Sequence, residues 1–71
     1  MLTIEQIITY VERTIAERYL ADNKEGLRRI QLALGELIAA AEAFGDRETA
    51  LRLRVLAAKA ANQREALQGE E

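Results

Sequence analysis

The chain has 71 residues, 49 % hydrophobic and 31 % charged, and ten Lys plus Arg against twelve Asp plus Glu leave a net charge of −2. So short a chain leaves room for a single domain, 1–71, against the roughly 100–200 residues usual per domain. Cys, His, Ser, Trp and Pro are absent, which removes disulfides, thiolate and imidazole metal sites, Ser and Cys nucleophiles and the commonest general base. Near-balanced charge disfavours non-specific nucleic-acid binding. No apolar run approaches the roughly 18 residues of a membrane span, and the start MLTIEQII has neither a basic n-region nor a small-residue cleavage site. The expectation is a cytoplasmic, all-α protein without metal or cofactor.

Thr3 followed three residues later by Gln6 is a capping-box pattern, and Ile4, Ile7, Ile8, Val11 and Ile15 then recur at helical steps. A first helix is predicted over about 3–21. Its stripe is built of β-branched side chains of modest helix propensity, so it requires burial against a neighbour. Tyr19 lies beside the stripe and Tyr10 off it.

Ala21-Asp22-Asn23-Lys24-Glu25-Gly26 breaks the apolar pattern with turn and N-capping residues. Leu27, Ile30, Leu34, Leu37, Ile38, Ala41 and Phe44 then define a second helix, about 24–44. It is closed by Gly45 at the left-handed position after the helix, with Asp46 as the next N-cap. Gly35, in mid-helix, costs about 1 kcal/mol relative to Ala, which is best explained by a close helix crossing.

A third helix is predicted over about 46–68, with an acidic tail at 69–71 expected to fray. Glu48 and Arg52 form a favourable pair four apart. Leu53, Leu56, Ala57, Ala60 and Leu67 line one side of this helix, and Leu51, Val55, Ala58, Asn62 and Ala66 another, about 160° away. Leu32, Ala39 and Ala43 repeat this two-sidedness on the second helix. Short connections make successive helices antiparallel, giving an up-down-up bundle. A chain of this size buries only about 60 % of the surface it exposes when unfolded. Leu51, Val55 and Leu32 are therefore candidates for a homodimer seam, the alternative being an open packing in which the first two helices cover both sides of the third.

Leu34-Gly35, Ile38, Gly45-Asp46-Arg47-Glu48-Thr49-Ala50-Leu51 and Ala57 resemble one helical hairpin of the tetratricopeptide repeats, over residues 31–64. Three extra residues precede the turn, Ile38 replaces an aromatic, and Arg54 stands where that family carries a large apolar residue. Such repeats ordinarily need about three units to bury a continuous core. The resemblance implies a protein- or peptide-binding surface and no chemistry.

For catalysis, the remaining vocabulary allows only paired carboxylates or a desolvated lysine. Glu5, Glu12 and Glu42 flank apolar stripes and read as solvated charges. Lys59 projects between two apolar strips and reads as a solubilising residue. The expected function is a non-enzymatic protein–protein interaction module, an adaptor or inhibitor that covers a surface of a larger protein and self-associates. Leu32, Leu51, Val55, Arg52, Arg54 and Lys59 are its contact residues. The alternative is a small nucleic-acid regulator using the Arg side chains of the third helix, although its cations are spread around the cylinder and no aromatic residues interleave them.

Overall fold

The computed structural model describes residues 1–68 and consists of α1 (Ile4–Leu20), α2 (Lys24–Ala43) and α3 (Arg47–Gln68). The predicted three-helix all-α bundle is what forms, with boundaries shifted by one residue at most helix ends. The acidic tail expected at 69–71 lies outside the described residues.

Each helix begins where a side chain satisfies a backbone donor that the helix itself leaves free. At α1 the Thr3 backbone N–H donates to Gln6 Oε1 (3.0 Å) and the Gln6 backbone N–H donates to Thr3 Oγ1 (3.1 Å), closing the capping box. Asn23 Oδ1 accepts from the Gly26 backbone N–H at 2.8 Å, and Asp46 Oδ1 from that of Thr49 at 3.1 Å. The Thr49 bonds hold the Asp46 carboxyl below its ordinary pKa.

The ends of α1 and α2 are built alike. After α2, the Asp46 N–H returns to Ala41 O and the Gly45 N–H to Glu42 O, with Gly45 at φ 75°. After α1, the Asn23 N–H returns to Arg18 O and the Asp22 N–H to Tyr19 O. Here the left-handed residue is Asp22, at φ 57°, which a non-glycine residue adopts at some cost. Asn23 thereby ends one helix and caps the next, which shortens the connection to three residues.

The core consists of Ile8, Val11 and Ile15 from α1, Leu27 and Leu34 from α2, and Leu53, Leu56 and Ala60 from α3. Ile7, Ile30, Ile38, Ala57 and Leu67 pack around it. Thr14 and Ala50 are also buried, although neither belongs to the predicted stripes. Two expected core residues of α2 are exposed: Leu37 retains 37 % of its accessible surface and Phe44 89 %. Both lie towards the end of α2 nearest the 44–46 turn, where Ile4, Ile7 and Ile8 of α1 stand across an apolar groove from them. A helical period shows which way a side chain points, not how far the opposing helix reaches.

The close crossing expected at Gly35 is not found within the chain. A methyl group built there meets nothing within 4 Å. Gly26 is the crowded glycine: a Cβ at that position would lie 2.5 Å from Asn23 Nδ2 and 2.8 Å from Arg18 Cδ. Its carbonyl also accepts from Arg18 Nη1 at 2.8 Å, tying the end of α1 to the first turn of α2.

Candidate interaction surface

The hairpin of α2 and α3 has two faces, and α1 covers one of them. Two ion pairs mark which side is which. Arg52 reaches from α3 to Glu5 on α1 through two parallel hydrogen bonds, Nη1 to Oε2 at 2.6 Å and Nη2 to Oε1 at 3.0 Å. Arg54, two residues on, projects to the other side and pairs with Glu42 of α2. The expected Glu48–Arg52 pair along α3 is thus replaced by a tertiary one, because a carboxylate on a neighbouring helix offers both oxygens to the guanidinium fork. The Arg52 hydrogen bond and charge hold the Glu5 carboxyl below its ordinary pKa. The Arg52 guanidinium is raised in turn, first by its hydrogen bond to Glu5.

Of the six residues predicted to meet a partner, the structure leaves Leu32, Leu51 and Val55 exposed at 57, 64 and 68 %. Lys59, one helical turn on from Val55, is exposed too. Ala58, Asn62 and Ala66, the rest of the second strip of α3, are exposed as well. Arg52 and Arg54 are instead committed to partners in their own chain. They act as braces on either side of α3, and their alkyl stems border the strip.

Two concavities adjoin these surfaces. On the α1 side, a groove of about 250 Å³ is lined by Ile4, Ile7, Leu37, Ala41, Phe44 and Leu53. On the opposite side, a hollow of about 630 Å³ lies among Glu42, Gly45, Arg47, Ala50, Leu51 and Arg54. Sequence reasoning missed the groove because it assigned Ile4, Leu37 and Phe44 to the core. The signal that points to it is their position at the open end of the bundle, beside the turn.

Chemically, the arrangement offers apolar contact framed by charge. Among the described residues no group of three or more His, Cys, Asp or Glu side chains converges as a metal site would require. Glu5 and Glu42 are occupied by arginines, and Glu25 lies within 3.5 Å of Arg28 and 3.7 Å of Arg29. No helix among the described residues is long and apolar enough to cross a membrane. Comparison with family models, curated proteins and solved structures finds no match, so the hairpin's resemblance to a tetratricopeptide unit carries no family assignment.

Proposed function

We propose that this chain is a non-enzymatic protein–protein interaction module of the cytoplasm, which self-associates and acts by covering a surface of a larger protein. One observation carries the reading: after α1, α2 and α3 have closed a core, Leu51 and Val55 still stand outward on α3 at 64 and 68 % exposure. Isolated exposed apolar residues are common, but a strip of them beside a concavity, here the charge-bordered hollow that Leu51 shares with Glu42, Arg47 and Arg54, marks an interaction site. Lys59 at the edge of the strip supplies solubility and orientation, in the manner of a polar rim around an apolar centre.

A nucleic-acid role draws less support. Of the five cations of α3, Arg52 and Arg54 are neutralised by Glu5 and Glu42 on opposite sides of the helix, so no continuous basic face remains.

The test is capture of a partner by the wild-type chain and by a chain carrying Leu51→Glu with Val55→Glu. Both substitutions sit on exposed positions, so circular dichroism is expected to show the fold unchanged. A protein retained by the first and lost by the second supports the reading. Equal retention by both removes the α3 strip as the contact.

A further inference from the structure

We propose that the uncovered face of α2 binds α2 of a second copy, antiparallel, about a two-fold axis passing at Gly35. The proposal rests on the self-association in the reading above and specifies its geometry. Arg28, Leu32, Gly35, Ala39 and Glu42 follow one another at steps of four, three, four and three residues, the seam spacing of paired helices. At about 100° per residue they fall within an arc of about 80°, and all five are exposed. Glu42 fixes the direction of that arc, since its carboxylate meets Arg54 on the side away from α1.

The order of these residues reads sensibly in reverse. Antiparallel pairing about Gly35 sets glycine against glycine at the axis and Arg28 against the second copy's Glu42, and brings Leu32 within one residue of register with the second copy's Ala39. Each contact occurs twice, as a two-fold interface demands. Large faces small, and cation faces anion, with Glu42 then shared between its own Arg54 and the second copy's Arg28. A parallel pairing would set Arg28 on Arg28 and Glu42 on Glu42, so the charges select the antiparallel one.

Gly35 supplies an independent argument. An exposed mid-helix glycine costs about 1 kcal/mol relative to alanine, and nothing in its own chain lies within 4 Å of where a Cβ would be. Backbone-to-backbone approach across the axis gives it a use.

The chain contains no cysteine, so Gly35→Cys introduces a unique thiol. On oxidation it is expected to give a disulfide-linked dimer rapidly, because Cα atoms about 4.4–6.8 Å apart can be bridged. Lys59→Cys, on the far side of α3, is the slow control. Gly35→Leu is expected to raise the dimer dissociation constant about ten- to a hundredfold by forcing the helices apart, with helicity unchanged. Arg28→Glu, which sets carboxylate against carboxylate across the axis, is expected to weaken the dimer. Light scattering separates the two levels of the claim. A wild-type chain that stays monomeric at millimolar concentration removes self-association altogether. A wild-type dimer that tolerates Gly35→Leu, or cross-links no faster through Gly35→Cys than through Lys59→Cys, keeps self-association and overturns this geometry.

Discussion

At single positions the energetics are decided by what surrounds each backbone. Asp22 holds φ 57° at the left-handed position after α1, where glycine pays no steric penalty. Asp22→Gly is expected to raise stability by about 0.5–1 kcal/mol, read as a higher urea midpoint at unchanged slope. Gly26→Ala is expected to act in the opposite sense. The added methyl displaces both Asn23 and Arg18, and each makes a hydrogen bond to that same residue, so a loss of about 1 kcal/mol follows despite alanine's better helix propensity. Glu5 links a residue to acidity. Its folded-state pKa is depressed by Arg52, so its contribution is fully present above the ordinary glutamate value and fades as pH falls through the lower folded value. Wild type is expected to lose α1 docking more steeply in that acid range than Glu5→Gln, which begins without the pair; near-ultraviolet circular dichroism of Tyr10 and Tyr19 against pH checks this.

Among the elements, α1 depends most on its neighbours. Ile8, Val11 and Ile15 are buried at 6, 3 and 0 %, and β-branched side chains contribute little intrinsic helicity. Ile15→Ala is expected to cost about 2–5 kcal/mol, the range for emptying a packed site, which is a large share of what so small a domain has. Thr3→Ala removes one cap at an exposed end and should cost only about 0.5–2 kcal/mol; hydrogen exchange should then show fraying in the first turn of α1 and leave α2 and α3 protected. The contrast between the two variants separates packing from capping within one helix. The α2–α3 hairpin has a different organisation, held by Leu34, Leu53 and Leu56 on its inner side and braced on its outer side by Glu42 and Arg54.

The whole molecule is elongated, 41 × 21 × 15 Å with a radius of gyration of 12.5 Å, somewhat above the roughly 11 Å expected of a compact chain of this length. Such a shape exposes both the outer face of the hairpin and the groove beside the 44–46 turn. If its complexes are apolar, as proposed, affinity for a protein partner should change little between 50 and 200 mM salt, whereas a phosphate-driven complex should weaken by orders of magnitude. Isothermal titration across that range discriminates between them. Much of the architecture was legible from residue order alone. Capping residues Thr3, Asn23 and Asp46, the left-handed Gly45 and the periodic stripes define where helices begin, end and face, because these are interactions over three or four residues. The same periodicity set Leu32, Leu51 and Val55 apart from the main stripes but left open whether the first two helices would cover them; their exposure was decided by the packing. Only the tertiary structure decided that Arg52 would leave Glu48 for Glu5, that Leu37 and Phe44 would line a groove, and that Gly26 rather than Gly35 would be the crowded glycine. Those outcomes depend on how far apart helix axes lie and where each helix stops against the next, distances set by the packing of all three together and carried by no local pattern.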